Sequence, residues 1–326
     1  MAAHAPFTSR NLTLSEMKRE GVANTEPSSG GIGFCMTIRC DIDVRFFPPP
    51  SELEGCFSTF YRATFTMPPG QRVRDYLQPE WGNIRFFWGD APDAQVVGGS
   101  RVSRARFTAT GPSSLPTEFY LGTTRMWGVG LFPLGWAKFM LTPAAELANA
   151  LVDGDDHPAY AHFEELSANL FDGEPDDERE YRRIIDYFLE LNRPHPDHDR
   201  IMGVHAALVD PAVDSVSELA RRAGLSQRTL ERLCHRAFGF SPKRLLRRQR
   251  FMRSLTAFML AKDRNWSEAI DPHYHDQAHF VRDFRAFMTM SPREYAALEH
   301  PILNAFMQER ARIWGSPAQT LDKPER

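Results

Sequence analysis

Between Arg221 and Arg253 the chain carries Arg221, Arg222, Arg228, Arg232, Arg236, Lys243, Arg244, Arg247, Arg248, Arg250 and Arg253 against the single anion Glu231. Such a block attracts phosphate, and within it Gln227, Arg228, Glu231, Arg232 and His235 recur at the spacing of one helical face. An arginine fork can pair bidentately with guanine in the major groove, and Glu231 can accept from cytosine N4. A second set, Gln277, Ala278, His279 and Arg282, repeats the pattern further along. The chemistry on offer is hydrogen bonding to base edges, with Ser226, Arg236, Lys243 and Arg247 placed to hold phosphates. Segment 153–190 has the opposite charge, which leaves the whole chain at a formal −3 and confines the attraction to the rear.

The elements that must carry these residues have their own signatures. Ser215-Val216-Ser217-Glu218 has capping-box spacing and opens a helix. Gly224 supplies the tight turn, and Ser226 caps the next helix, whose Leu230, Leu233, Cys234 and Ala237 face inward. Helix, short turn and helix make a helix-turn-helix unit. Asn265-Trp266-Ser267-Glu268 starts a second unit, Asp276 caps its second helix over the stripe Phe280, Phe284 and Phe287, and Ser291-Pro292-Arg293-Glu294 opens another helix. Between the units Ser241-Pro242 begins a linker helix to about Leu260. Leu245, Leu246, Phe251, Leu255 and Phe258 form its packed face, and Arg244, Arg247, Arg248 and Arg250 are expected to stay wet.

Ser217-Glu218-Leu219-Ala220 through Gly224-Leu225-Ser226, Phe238-Gly239-Phe240-Ser241-Pro242, and Asp276-Gln277-Ala278-His279-Phe280-Val281-Arg282-Asp283-Phe284 with Met290-Ser291-Pro292-Arg293-Glu294-Tyr295 together resemble the double helix-turn-helix domain of AraC/XylS regulators. The resemblance covers about 204–298. It implies base reading by Arg228, Glu231 and Arg232 in the first unit and by Gln277, Ala278, His279 and Arg282 in the second. His273 and Thr289 stand where the family usually has glycine, which removes two easy positive-φ positions. Gly111-Pro112, Pro116-Thr117-Glu118-Phe119 and Trp127-Gly128-Val129-Gly130-Leu131 carry a looser likeness to the family's sensor region.

The front of the chain reads as short β-rich runs: Phe57 to Met67, Asn83 to Trp88, Ser100 to Thr110, Glu118 to Leu121 and Arg125 to Leu131. From Pro143 to about Leu191 the pattern turns helical. The expected fold is α+β and multidomain: a polar N-terminal tail over 1–33, a β-rich sandwich or barrel with trailing helices over 34–192, an all-α double helix-turn-helix domain over 200–300, and a helix with flexible tail over 301–326. The further helix, with Ile302, Leu303, Phe306 and Met307, is expected to pack on the DNA-binding domain, and the chain from Gly315 to be loose.

Trp81, Trp88, Trp127 and Trp136 are candidates either for core packing or for an effector pocket. His273, His275 and His279 have spacing that can converge on zinc, but they straddle a turn and a recognition helix, where an imidazole on DNA is the simpler reading. Residues 31–156 hold no histidine, and no nucleophile elbow, Walker motif or dinucleotide fingerprint occurs, so no cofactor, no metal and no catalysis are expected. The chain has no long apolar run, no secretory signal and no cysteine framework, which points to the cytoplasm and away from membranes. The expected partners are double-stranded promoter DNA, a second copy of the chain, RNA polymerase and a small-molecule effector. The alternatives are a constitutive DNA-binding dimer, or an enzyme or small-molecule binder on a helical scaffold.

Overall fold

The computed structural model describes residues 40–324, so the N-terminal tail read over 1–33 lies outside the described residues. Among the described residues ten strands form two antiparallel sheets. The six-stranded sheet has the order β1 (Asp41–Phe47), β2 (Phe57–Thr66), β9 (Thr124–Leu131), β4 (Asn83–Gly89), β7 (Phe107–Thr110), β10 (Leu151–Asp153). The four-stranded sheet has the order β3 (Val73–Leu77), β8 (Thr117–Leu121), β5 (Asp93–Val96), β6 (Arg101–Ser103).

The large sheet is buried on both faces, which its sequence explains. A register shift between Phe57 and Thr59 turns Phe57 to the same side as Phe60, while Tyr61, Ala63 and Phe65 face the sandwich interior. In β9, Trp127, Val129 and Leu131 join Phe57 and Phe60, and glycine occupies the intervening positions. A Cβ on Gly128 would lie 2.0 Å from the Tyr61 ring, so glycine there is what lets that ring enter the sandwich.

The single strand expected over 100–110 is two. Arg104, at φ 51°, turns the chain out of the small sheet after β6, and β7 then enters the large one. The helical stretch expected from Pro143 is also broken: 144–147 makes only a 3₁₀ turn, β10 pairs with β7, and regular helix waits for α2 (Glu164–Asn169) and α3 (Asp177–Leu191). Asp177 and Glu180 at the start of α3 are drawn onto the sheet by Arg62 and Arg125, and Trp127 Nε1 also donates to Glu180.

The helical part follows as α4 (His198–Val209), α5 (Val216–Arg222), α6 (Gln227–Leu233, continued by a wider turn to Phe238), α7 (Pro242–Leu260), α8 (Trp266–Ala269), α9 (Gln277–Met288), α10 (Pro292–Ala296) and α11 (Pro301–Trp314). No seam separates it from the sheets. One core runs from Phe57, Trp127 and Phe132 through α1 (Pro133–Phe139) and on to Val204, Leu208, Leu219, Leu230 and Leu245. A separate core of Phe251, Phe258, Phe280, Phe284, Phe287 and Tyr295 holds α7 to α10 together.

Two expectations about 301–326 are corrected. Helix α11 does not pack on the DNA-binding domain alone: Ile302 and Ala305 fill the sandwich interior, and only Met307 and Leu303 touch the core of the second unit. The segment after Gly315 is not a loose tail up to 324, since Thr320 and Asp322 are fully buried. Apolar surface left at the open end of the sandwich is what draws α11 there.

Candidate nucleic-acid interface

The first unit forms as its local sequence dictates. The Ser215 hydroxyl accepts from the Glu218 N–H at 3.2 Å, but the expected reciprocal bond is missing: Glu218 turns instead to Arg221 and Arg222 at 2.7 and 2.9 Å. Those two guanidinium groups hold the Glu218 carboxyl down to about 2. Gly224 takes φ 64°, and Ser226 caps α6 by accepting from the Thr229 N–H. Leu230 and Leu233 are buried, so Gln227, Arg228, Glu231, Arg232 and His235 are left exposed. Glu231 and His235 face each other at 3.2 Å one turn apart, whereas Arg228 and Arg232 form no ion pair among the described residues. Both forks are therefore available to an external acceptor.

In the second unit the Asn265 side chain accepts from the Ser267 N–H, and α8 is a single turn. Asp276 caps α9 by accepting from the His279 N–H at 2.6 Å. Phe280, Phe284 and Phe287 are buried; Gln277, Ala278 and Arg282 are exposed. His279 is half-buried: Arg250 lies 3.1 Å from its Nε2, and burial first, then Arg250, push its pKa down. Thr289 adopts φ 59°, keeping at some strain the turn that glycine would give freely, while His273 is not among the residues at positive φ. The unit is closed by a full capping box between Ser291 and Glu294.

A residue that the sequence reading did not single out fixes the second unit on the linker. Asp283, on the inner face of α9, accepts from Arg247 at 2.6 and 3.1 Å, from Arg250 at 3.1 Å and from the Tyr274 hydroxyl at 3.2 Å. Its place in the run Phe280-Val281-Arg282-Asp283-Phe284, a carboxylate on an apolar stripe, was the available signal. Arg253 is likewise held by Asp271, which also takes His273 Nδ1.

These contacts sort the expected phosphate ligands. Lys243 is exposed and unpaired among the described residues. Ser226 spends its oxygen on the cap, Arg236 pairs with Asp197, and Arg247 is bound to Asp283 while its side chain stays 40% exposed. Lys243, Arg247, Arg250, Arg253 and Arg282 line one cleft between the N-terminal end of α5 and α9, with Asp214 and Asp283 as its only carboxylates. Arg248 corrects the expectation of a wet face. Its guanidinium is fully buried 3.8 Å over the Trp81 ring and donates to the carbonyls of Ser113 at 2.9 Å and Glu80 at 3.3 Å. Burial without a carboxylate lowers it to about 9. Arg244 is also engaged, donating to the Ser114 hydroxyl.

The four tryptophans do not form a pocket. Trp81, Trp127 and Trp136 are buried in the main core, and Trp88 is 58% exposed at the end of β4. The apolar space lies on the other side of the large sheet. It is a cavity of about 160 Å³ whose apolar walls include Phe65, Phe119 and Phe306, and whose polar end holds Arg85, Glu80 and Gln319. Among the described residues no cluster of three His, Cys, Asp or Glu could hold a metal ion, and no helix is long and apolar enough to cross a membrane.

Residues 219–297 match the family model described as a helix-turn-helix domain. Among solved structures, ToxT from Vibrio cholerae is 10% identical over 69% of this chain and 97% of its own, with a TM-score of 0.39. ToxT bound to (E)-4-(8-methylnaphthalen-1-yl)but-3-enoic acid is 10% identical over 72% and 96%, with a TM-score of 0.38. The AraC-like transcriptional activator CuxR is 11% identical over 69% and 83%, with a TM-score of 0.28. No curated protein matches the chain.

Proposed function

We propose that this chain is a DNA-binding transcription regulator of the AraC/XylS type, that α6 and α9 are its two reading heads and that the sandwich receives a small-molecule effector. The observation that carries the first half is that Arg228, Arg232 and Arg282 stand exposed and unpaired among the described residues on the outer faces of α6 and α9, beside the cleft lined by Lys243, Arg247, Arg250 and Arg253. Arg228 and Arg232 read bases with Glu231, Gln227 and His235 beside them. Gln277, Ala278, His279 and Arg282 do so in the second head, and Lys243 and the cleft arginines hold the backbone between.

Two rigidly joined heads reach successive major-groove faces when spaced near one helical turn, about 34 Å. The effector half rests on the cavity, which has the mostly apolar lining and few polar groups of small-molecule sites. In this reading two copies bind neighbouring half-sites and alter recruitment of RNA polymerase, the pairing raising affinity through effective concentration.

The test is a fluorescence-anisotropy titration of the full chain against the DNA upstream of its own gene and a scrambled duplex, across a salt series. Preference for the native duplex that survives added salt is the expected result. Equal binding that salt erases would leave only a basic surface.

A further inference from the structure

Helix α11 is built from three parts of the molecule at once. Its N-cap residue, His300, makes no side-chain cap. The cap is supplied from the front domain: Asp75 on β3 accepts from the backbone N–H groups of Ile302 and Leu303, each at 2.9 Å, and from His300 Nδ1 at 3.0 Å. Asp75 is fully buried and also accepts from the Tyr76 N–H at 2.7 Å, so β3 and the start of the helix are tied through one carboxylate.

The body of the helix closes the sandwich. Phe306 stacks on Phe65 with ring centroids 6.3 Å apart and meets Tyr61 edge-on at 5.4 Å, and Trp314 meets Phe46 at 5.1 Å. Ile302, Phe306 and Met307 are one wall of the cavity, and Pro317 to Thr320 complete it.

The same segment grips the DNA-binding part. His300 stacks on Tyr295 of α10 at 4.4 Å, and Met307 enters the core of the second unit. The Thr320 carbonyl accepts from Gln249 of the linker helix at 2.6 Å, and Gln319 donates to Glu80 at the polar end of the cavity.

We propose that α11 with residues 315–324 is a removable stopper that shuts the sandwich cavity and, while docked, fixes the second reading head relative to the first. This rests on the reading of the cavity as a ligand site. The cavity's free volume of about 160 Å³ takes about one aromatic ring, and Phe306 and Ile302 occupy the space into which a larger apolar ligand would extend. Ligand and docked α11 compete for the same space, and a ligand that wins frees the second head. Freed, that head loses its preorganised position, and affinity for a two-half-site duplex falls.

The test compares the full chain with Asp75→Ala and Phe306→Ala. Hydrogen exchange follows residues 302–314 and, as an internal control, residues 242–260. The fluorescent dye 1-anilinonaphthalene-8-sulfonate, which is larger than the cavity's free volume, reports opening. Anisotropy uses a duplex selected by the unmodified chain from a random pool, and the same duplex cut to one half-site. In the variants, exchange over 302–314 is expected to rise at least tenfold with 242–260 unchanged. The dye should bind at a single site, and affinity for the two-half-site duplex should fall three- to tenfold with the half-site duplex unaffected.

Unchanged exchange in both variants, or faster exchange with no change in two-half-site affinity, overturns the proposal. If Asp75→Ala unfolds the whole chain, as a thermal melt would show, Phe306→Ala decides, since it keeps the cap and removes only the ring. Failure of the unmodified chain to select any sequence would sink the DNA reading alone, because exchange and dye binding still decide whether α11 is a stopper.

Discussion

Replacing Asp283 by alanine should cost about 3.5 kcal/mol, and the loss should fall on the second unit. The carboxylate is 2% exposed; of its partners, Arg250 is 18% and Arg247 40% exposed. A charge-assisted bond to a buried acceptor is worth about 1.5–3 kcal/mol, which sets the Arg250 contribution at about 2. Water screens the Arg247 pair, so it is discounted to about 0.5 kcal/mol. The Tyr274 hydroxyl, left without its acceptor in a buried position, adds about 1. The total sits near the low end of the roughly 3–5 kcal/mol that follows from breaking one side of a buried ion pair.

Urea unfolding followed by tyrosine and tryptophan fluorescence gives the stability. Exchange over 277–288 against 227–233 shows where it is lost. Because α9 is aimed from α7 through Asp283, binding to the half-site read by α9 should weaken more than binding to the half-site read by α6. A stability change under about 1 kcal/mol, or equal loss at both half-sites, would refute the view that this carboxylate orients the second head.

Arg232→Ala should relax base preference at one position and cost about 1–3 kcal/mol in binding; a uniform loss over all sequences in a binding-selection assay would make Arg232 a phosphate contact instead. Thr289→Gly should raise stability by about 0.5–1 kcal/mol, because relief of the positive φ exceeds the added backbone entropy; a lower melting temperature would count against strain there. His205 is buried against Trp81, Phe132 and Phe238, and burial first, then Arg248, push it down to about 3. The unfolded chain takes up that proton near pH 6.5 and the folded chain does not. Stability from this group is therefore complete above 6.5 and falls by about 1.4 kcal/mol per unit as the pH drops towards 3. His205→Phe should narrow the loss between pH 7 and pH 5 by about 2 kcal/mol in urea titrations, and an unchanged slope would show that other groups carry it.

The two helix-turn-helix units were legible in the sequence because what makes them is local. Each cap joins residues three apart, as in Ser226 with Thr229, Asp276 with His279 and Ser291 with Glu294. The turn at Thr289 was harder: the missing glycine suggested altered geometry, but the caps on both sides hold the chain in the left-handed region at modest cost. Arg248 misled by its charge. Its spacing from Leu245, Met252 and Leu255 puts it on the buried stripe, and only a ring and two carbonyls more than 130 positions upstream reveal how the burial is tolerated. Nothing in the sequence tied Gly128 to the Tyr61 ring, because the two meet only through the pairing of β2 with β9. The cavity was missed for the same reason, since its walls come from both sheets and from α11.

The bond from Asp75 to the start of α11 spans 227 positions, and that from Ser58 to Gln319 spans 261. During synthesis the strands leave the ribosome long before the residues that close them, so the nascent sandwich waits with Phe46, Tyr61 and Phe65 uncovered until α11 arrives. A gene fragment cut after the sheets, or one encoding the helical part by itself, would therefore yield an aggregation-prone half, and the two halves expressed together should rescue each other's solubility.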